Sequence, residues 1–275
     1  MNEHYTNAHD HNRRVWDQMV DQRKRFTRPA KDEDFHNPLA TVDGLNWLGG
    51  NIQGKCLLCL AAGGGRQSAL YAAAGAKVTV VDISPRMLEV DRDVAAERGL
   101  EVRTVQTSMD DLSMFRAAEF DVVIHPVSTC YVPRIEPVYQ QVARVIAVGG
   151  LYISQHKQPT NLQLSIEHNS TGRYELEEPY YRNGEPLRDV GGSRLREGGT
   201  LEYLHRWEEL VGGLCRCGFV IEDLVEPMHA VAGHAAGSFE HRCGFTAPYV
   251  RIKARRLDRA AKTVPATLWI PDANQ

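Results

Sequence analysis

Residues 56–83 read CLLCLAAGGGRQSALYAAAGAKVTVVDI, and this stretch decides the fold. Two short apolar runs, Cys56–Ala62 and Lys77–Ile83, are separated by a glycine-rich turn and a segment with helical character. Continuous apolar runs of this length are typical of strands that are buried on both faces of a parallel sheet. Parallel neighbours require a crossover, usually a helix, so the stretch predicts one strand–helix–strand unit.

The same alternation continues beyond this unit. Ser84 is a favourable N-cap and Pro85 suits the first helical position, so a helix is predicted to begin there and to stop at Gly99. Further strands are predicted at Glu101–Thr107, Phe120–Val127, Leu151–His156 (after a turn at Gly149–Gly150), 219–227 and 246–255, and further helices at Arg134–Ala147 and Thr200–Phe219. This order predicts an α/β fold, a doubly wound Rossmann-like sheet in three α/β/α layers, mostly parallel with an antiparallel last strand.

The chain is expected to divide into a central domain and less regular flanking segments. Residues 1–50 would hold a helix at Asn12–Arg25 and a lid segment, and residues 51–256 would form the sheet domain. Within that domain, residues 157–200 are rich in Asn, Gly, Pro, Tyr and charge, and we expect this insertion to cap a substrate site. Residues 257–275 are predicted to be a C-terminal tail.

Composition and charge narrow the function classes. The 275 residues are 43% hydrophobic and 24% charged, which is ordinary for a globular protein. The net charge of −3 disfavours a broad phosphate-binding surface, so no nucleic-acid partner is expected. No stretch reaches the roughly 20 apolar residues of a membrane helix, and the polar start lacks the apolar core of a signal peptide. We therefore expect a cytoplasmic protein without a membrane partner, and nothing in the sequence indicates its oligomeric state.

Two groups of potential metal ligands have simpler explanations. Cys56 and Cys59 have the spacing of a redox or zinc pair, but residues three apart on a strand point to opposite faces. They are interpreted as small buried residues of a strand. His4, His9 and His11 could suggest a metal, but a solvated, mobile N-terminal tail is the better interpretation. No metal site is predicted.

A ligand site is predicted where the first strand ends. Ligands of open α/β sheets bind beyond the carboxyl ends of the strands, and the small residues Ala61–Gly65 would allow a ligand to approach the backbone closely. Asp82 closes the second strand about 20 residues further on, where a carboxylate can bind ribose hydroxyls. Together the turn and Asp82 indicate a bound adenosine-type nucleoside.

The motifs resemble those of a known family. The run AAGGGRQSALYAAAGAKVTVVDISPRML (61–88) looks like the first two motifs of class I S-adenosylmethionine (SAM)-dependent methyltransferases, in particular a subgroup with an L-A-A-G-G-G type of first motif. SMDDL (108–112), FDVVIHPVS (120–128) and GGLYIS (149–154) follow in the family's order. The resemblance covers about residues 50–156 and, more loosely, 200–256. One departure is that Cys59 stands where the family usually has an acidic residue that organises the loop.

The resemblance implies a role for each matching position. Ala61, Gly63 and Gly65 would lie under the methionine and ribose portions of SAM. Asp82 would accept hydrogen bonds from both ribose hydroxyls.

It also implies how the adenine and the methionine end of SAM are held. Ile83 and Met87 would pack on the adenine ring. The Met109 backbone N–H and Asp110 would hydrogen-bond its edge. His125, at the end of the fourth strand, would lie near the methionine end.

Transfer of the methyl group to a small-molecule acceptor is the implied activity, with S-adenosylhomocysteine (SAH) as the product. An in-line displacement at an activated sulfonium needs mainly alignment and exclusion of water, which can supply roughly 7–11 kcal/mol of the barrier. Candidate catalytic residues are His125, His156 and Tyr131, and a hydrogen-bonded structural histidine is the alternative for the first two.

Other interpretations stay open. Aromatic residues that could wall a pocket for the sulfonium, or merely pack the core or lid, are Trp16, Phe26, Tyr180 and Tyr181. The same sheet could serve an NAD(P)-dependent oxidoreductase, although no Tyr-x-x-x-Lys arrangement supports hydride transfer. A SAM-binding sensor without turnover is the third possibility.

Overall fold

A single seven-stranded sheet organises the protein in the computed structural model, which describes residues 3–258 and the side chains from residue 8 onward. The strands are β1 (Cys56–Leu60), β2 (Lys77–Asp82), β3 (Val102–Gln106), β4 (Phe120–His125), β5 (Ile146–Lys157), β6 (Phe219–Val225) and β7 (Tyr249–Arg256). Their order across the sheet is β3-β2-β1-β4-β5-β7-β6. Strands β1 to β5 pair in parallel, and β7 runs antiparallel to both of its neighbours. The predicted fold class is confirmed.

Helices cover both faces of the sheet. They are α1 (Glu3–Asp21), α2 (Pro38–Val42), α3 (Gln67–Ala73), α4 (Pro85–Glu97), α5 (Glu136–Val145), α6 (Pro159–Gln163), α7 (Gly213–Arg216) and α8 (Phe239–Arg242). Leu58 and Leu60 belong to one buried cluster with α5 and α7, whereas Leu57 and Cys59 belong to a second one with α3 and α4. Because successive strand residues face opposite sides, each central strand contributes to both cores. This is the predicted three-layer arrangement.

The pair of cysteines on β1 obeys the same alternation. Cys56 packs against the cluster on one face, and Cys59 lies in the cluster on the other. The prediction that the two thiols point to opposite faces is confirmed, and this orientation prevents them from chelating one ion.

The strand order creates a switch point beside β1. The chain moves outward from β1 to β2 and β3 and then returns to place β4 on the other side of β1. At such a reversal the connections leave β1 and β4 in opposite directions, and a crevice opens beyond their carboxyl ends. The glycine turn and His125 both lie at this edge.

Helix α1 begins at Glu3 and not at Asn12, so the segment that carries His4, His9 and His11 is helical and the predicted mobile tail is wrong. Two other boundaries differ for local backbone reasons. Helix α1 ends at Asp21 rather than Arg25, because Arg23 adopts a left-handed φ of 49° and the Arg23 and Lys24 amides bond the Val20 and Met19 carbonyls. This is the Schellman ending that usually has a glycine, so the sequence did not signal it. Gly149–Gly150 is not a turn that precedes β5 but an irregular stretch inside it.

The predicted helix Thr200–Phe219 is wrong over its first half. Helical structure begins only with a π-helical turn at Glu208–Gly212, which continues into α7. Before it, the Leu201 amide donates to Asn12 and the Tyr203 amide donates to the Cys130 carbonyl, at 2.8 and 2.7 Å. These tertiary partners take the backbone donors that a helix would have used. The predicted tail at 257–275 lies outside the described residues from 259 onward.

Candidate functional site

A cavity of about 1000 Å³ opens at the carboxyl edge of the sheet beside the switch point. The sequence-predicted site residues on its wall are Ala61, Gly63, Asp82, Ile83, Met87, Met109, His125 and Tyr131. Residues more than sixty positions apart in the chain thus face one space. A cavity of this size, reached from the ends of β1, β2 and β4, is suited to a nucleoside and a second small molecule.

The turn after β1 has a backbone that excludes most side chains. Ala61 has a φ of 47° and Gly64 one of 106°, both in the left-handed region, which strains a residue other than glycine. A Cβ on Gly63 would lie 2.7 Å from the Met87 Cβ and 2.9 Å from Asp82 Oδ2. The turn therefore lies directly against β2 and α4, and its small residues leave the cavity side open.

Asp82 links the turn to β2. Its carboxylate accepts hydrogen bonds from the backbone N–H of Gly63 and that of Ser84, each at 2.9 Å. Burial raises its pKa to about 6, although the backbone donors favour the charged form. A buried carboxylate on the cavity wall has lone pairs left for additional donors, such as a pair of hydroxyls.

Asp91 is a second buried carboxylate that the sequence analysis missed. It projects from α4, accepts hydrogen bonds from the Gly64 and Gly65 amides at 2.9 and 3.0 Å, and also bonds the Ser68 hydroxyl. Its pKa is raised to about 7 by burial. A signal was available, because Asp91 is an acid on the helix face that otherwise carries the buried residues Leu88 and Val94.

Two predicted cofactor residues are not on the cavity wall. Gly65 packs its Cα against α4, where an added Cβ would be 2.9 Å from the Val94 side chain. The Asp110 carboxylate is 3.3 Å from His9 Nε2, and His9 itself lines the cavity. Burial opposes ionisation of the Asp110 carboxyl, but the hydrogen bond from His9 holds the pKa of Asp110 below its usual value.

His125 occupies the end of β4 with one nitrogen engaged. Its Nδ1 is 2.7 Å from the Tyr152 hydroxyl, while Nε2 is buried and has no hydrogen-bond partner within the described residues. Burial lowers the pKa of His125 to about 3, so the imidazole is neutral at physiological pH. A buried polar atom without a partner is costly, and His125 is one of the residues that line the cavity.

His156 has a different environment from the one that its predicted catalytic role requires. Its Nδ1 is 2.9 Å from Thr129 Oγ1, and its Nε2 is 2.8 Å from Ser154 Oγ. Both nitrogens are thus occupied, and the residue is buried behind the wall rather than on it. Burial lowers its pKa. This geometry favours the alternative of a structural histidine.

Tyr131 belongs to a buried network that ties the insertion to the sheet. Its hydroxyl donates to Glu197 at 2.7 Å, and Lys157 donates to Glu197 at 2.8 Å and to Glu202 at 2.6 Å. Arg196 completes the network through Glu202. Burial opposes ionisation of Glu197, but the Lys157 ammonium holds its pKa below the usual value. The carboxylate on the cavity wall is therefore charged and already paired.

The cover of the cavity differs from the predicted one. Trp16 and Phe26 line the cavity, as expected of wall residues, whereas Tyr180 packs against a small cluster under the insertion and Tyr181 is exposed. The predicted cap at 157–200 contributes Arg194 and Glu197 to the wall, while residues 25–47 contribute much of it. The connection between β6 and β7 adds His229 and Phe239, which no local signal in the sequence indicated.

Two further properties bear on the site. Among residues 3–258, no group of three or more His, Cys, Asp or Glu side chains comes together in a way that could hold a metal ion. Over the same range, every helix is too short or too polar to cross a lipid bilayer.

Comparison with known proteins identifies relatives in sequence. A family model described as a methyltransferase domain matches residues 58–154. The "Uncharacterized methyltransferase YbaJ" of Bacillus subtilis is 32% identical over 229 residues, which are 78% of this chain and 89% of that protein. The ubiquinone biosynthesis O-methyltransferase of Bordetella avium is 30% identical over 114 residues, which are 42% of this chain and 47% of that enzyme.

Solved structures share the fold. A SAM-dependent methyltransferase from Mesorhizobium loti matches with a TM-score of 0.59 and 18% identity, over 77% of this chain and 97% of that one. The geranyl diphosphate C-methyltransferase of Streptomyces coelicolor A3(2), solved with Mg²⁺, geranyl diphosphate and SAH, matches with a TM-score of 0.58 and 14% identity, over 91% and 98% of the two chains.

Proposed function

Because this chain belongs to the class I SAM-dependent methyltransferases, we propose that its cavity holds SAM beside a small-molecule acceptor and that the methyl group moves between them by in-line displacement. The family fixes the enzyme class and the cofactor. SAM is the methyl donor, and SAH is the product. The acceptor, the residues that hold it and the course of the displacement are the proposed parts.

The contact between Asp82 and the Gly63 amide carries the proposal for the cofactor. It brings the turn after β1 and the end of β2 together on one wall, with Ile83 and Met87 beside them. The ribose hydroxyls would donate to Asp82, and the adenine would lie between Ile83, Met87 and Met109. The methionine portion would then extend over Ala61–Gly64 toward the end of β4.

His125 and Tyr131 are the proposed contacts beyond the methionine portion. His125 Nε2 would hydrogen-bond a group of the cofactor or acceptor, because its Nδ1 side is fixed by Tyr152. With a pKa near 3 it would orient this group and not collect a proton before the reaction. Tyr131, held by Glu197, would shape the acceptor side of the wall.

The competing interpretations are distinguished by these findings. The relatives carry the name of methyltransferases, so the nicotinamide-dependent oxidoreductase is not retained. Membership of an enzyme family likewise disfavours a sensor without turnover. A cytoplasmic location and the absence of a nucleic-acid partner stay predictions from the sequence.

Calorimetry tests the proposed site. Wild-type protein should bind SAH and should give no heat with NAD⁺, and Asp82→Asn should bind SAH about ten-fold or more weakly, since a hydrogen bond to a charged group contributes about 1.5–3 kcal/mol. Asp93→Asn on the exposed face of α4 is the matched control and should bind SAH normally.

Turnover is then sought with labelled SAM and a panel of small metabolites. Transfer of label to a small molecule supports the proposal. Folded protein that gives no heat with SAH, or an Asp82→Asn variant that binds as tightly as the wild type, would refute the assignment of the site.

A further inference from the structure

The cofactor turn is held by two carboxylates that reach it from different elements. Asp82 at the end of β2 binds the Gly63 amide, and Asp91 on α4 binds the next two amides, Gly64 and Gly65. Three successive backbone amides thus donate hydrogen bonds to buried carboxylate oxygens. The turn itself, with Gly64 and Gly65 both at positive φ, directs these amides toward α4.

The neighbourhood of Asp91 explains why a carboxylate fits there. Asp91 is fully buried, and the Ser68 hydroxyl at the start of α3 supplies a third donor. Cys59 on β1 is buried, and burial together with the Asp91 charge raises the pKa of its thiol. β1 itself, with the sequence CLLCL, supplies no carboxylate to the turn.

We propose that Asp91 is the positioning residue of the cofactor turn, taking from α4 the role that an acidic residue on β1 would have at Cys59. The carboxylate fixes the Gly64 and Gly65 amides and so holds the backbone that seats the methionine portion of SAM. This inference rests on the proposal that the turn carries the cofactor. It assigns Asp91 no contact with the reacting atoms.

Calorimetry with SAH on three variants tests this role. Asp91→Asn removes the negative charge and one acceptor at nearly constant shape, and SAH affinity should fall about ten-fold or more. Ser68→Ala removes only one donor and should fold normally with a smaller loss. Adding Cys59→Asp to Asp91→Asn should restore affinity, which a merely structural role for Asp91 would not predict. Asp93→Asn on the same helix is exposed and serves as the control.

The outcomes separate this inference from the proposed function. If wild-type protein does not bind SAH, the proposed site itself fails. If the wild type binds and Asp91→Asn binds equally well, or if its loss is not repaired by Cys59→Asp, the role of Asp91 is refuted. Circular dichroism should show native secondary structure in every variant that is compared.

A second and independent observation concerns charges on the cavity wall. The carboxylates there are already satisfied: Asp43 by the amides of Trp47 and Leu48, Asp82 by backbone amides and Glu197 by Lys157. Arg251 on β7, in contrast, forms no ion pair within residues 8–258. Its Nε donates to Gln155 Oε1 at 2.7 Å, which fixes the side chain and leaves both terminal nitrogens for a ligand.

The position of Arg251 assigns it to the acceptor. Strands β4 and β5 lie between β7 and β1, so the backbone at Arg251 is about 14 Å from β1 at the usual spacing of about 4.8 Å per strand. His229 lies next to it, and burial together with the Arg251 charge lowers the pKa of this imidazole. Histidine carries no negative charge in either protonation state, so His229 cannot compensate the guanidinium charge.

The geometry points to an acceptor with an anionic group, a carboxylate or a phosphate, that binds the terminal nitrogens of Arg251. A guanidinium offers two parallel donors that match such oxygens. This inference also rests on the proposed function, because it takes the space beyond the cofactor as the acceptor site.

Thermal unfolding of SAH-saturated protein tests the anion site with benzoate, inorganic phosphate and neutral benzamide. At least one anion should raise the melting temperature where benzamide does not, and whichever acts distinguishes carboxylate from phosphate. Arg251→Gln should abolish this shift and retain SAH affinity. Arg255→Gln, on the same strand as Arg251, breaks a pair with Glu222 of β6 and should retain both.

Four results would overturn the anion site while leaving the proposed function standing. The first three are the absence of any shift with either anion, an equal shift with benzamide, and a shift that survives in Arg251→Gln. The fourth is a loss of SAH affinity in Arg251→Gln, because the arginine would then serve the cofactor. Failure of the wild type to bind SAH would instead remove the proposed function.

Discussion

Substitution of Gly63 by alanine is the sharpest test of the cofactor turn. The added Cβ would be 2.7 Å from the Met87 Cβ and 2.9 Å from Asp82 Oδ2, and both neighbours belong to well-packed elements. The Met87 Cβ is fixed to the backbone of α4, and the Asp82 carboxylate is held by the Gly63 and Ser84 amides, so β2, α4 or the turn must shift. Overpacking of this kind costs about 1–3 kcal/mol. The same shift would lengthen the bond from the Gly63 amide to Asp82.

Two assays measure these effects together. The melting temperature of Gly63→Ala should fall by roughly 2–10 °C, and calorimetry should show SAH affinity reduced about ten-fold or more. Gly212→Ala is the matched control, since its Cβ would meet only the end of the Arg216 side chain, and the helical position favours alanine. That variant should be as stable as the wild type or more so. A Gly63→Ala protein with wild-type stability and SAH affinity would show that the turn does not lie against Asp82 as described.

Other predictions follow from buried charges. If the ionised form of Asp82 binds the ribose, SAH affinity should fall about ten-fold per pH unit below its pKa of about 6, and calorimetry across pH 5–8 that shows no such loss would contradict this. The pKa of Asp91 is about 7 in the folded state and lower in the unfolded state, so the folded state favours the protonated carboxyl. The contribution of Asp91 to the free energy of unfolding is therefore present at low pH and lost as the pH rises to 7. Urea unfolding should show this decline as a difference between wild type and Asp91→Asn. Among residues 8–258, Lys157→Met leaves Glu197 without an ion-pair partner and Glu202 with Arg196 alone, and should cost about 3–5 kcal/mol, whereas Lys253→Met, at a more exposed pair, should cost at most about 1 kcal/mol.

The sheet, and the meeting of the glycine turn with Asp82 on one wall of the cavity, could be predicted because their signals are local. The signals lie close together in the chain: they are the apolar runs, the spacing from Gly63 to Asp82 and the N-cap at Ser84. The regular geometry of a strand–helix–strand unit is enough to predict how these residues lie relative to one another. The wall opposite could not be predicted in this way. His229, Arg251 and Arg25 come from three distant segments, and only the pairing of β5 with β7 brings two of them to the cavity. Asp91 was missed for a different reason: its place on the buried face of α4 could be read from the sequence, but its partners, the Gly64 and Gly65 amides and the Ser68 hydroxyl, could not.

The groups on the cavity wall also restrict how the acceptor can be activated. His125 has a pKa near 3, Glu197 is charged but bound to Lys157, and burial raises the pKa of Tyr131 well above its usual value. None of these groups is suited to remove a proton from a weakly acidic hydroxyl. Arg251, in contrast, would anchor an anionic group of the acceptor that is distinct from the reacting atom. A reacting atom that is itself ionised neutralises charge as it attacks the sulfonium methyl, so a water-poor cavity helps that displacement without a base. Acceptors that carry an anchoring anion and a reacting atom already nucleophilic at neutral pH are therefore the first to be tested, ahead of alcohols and unactivated amines.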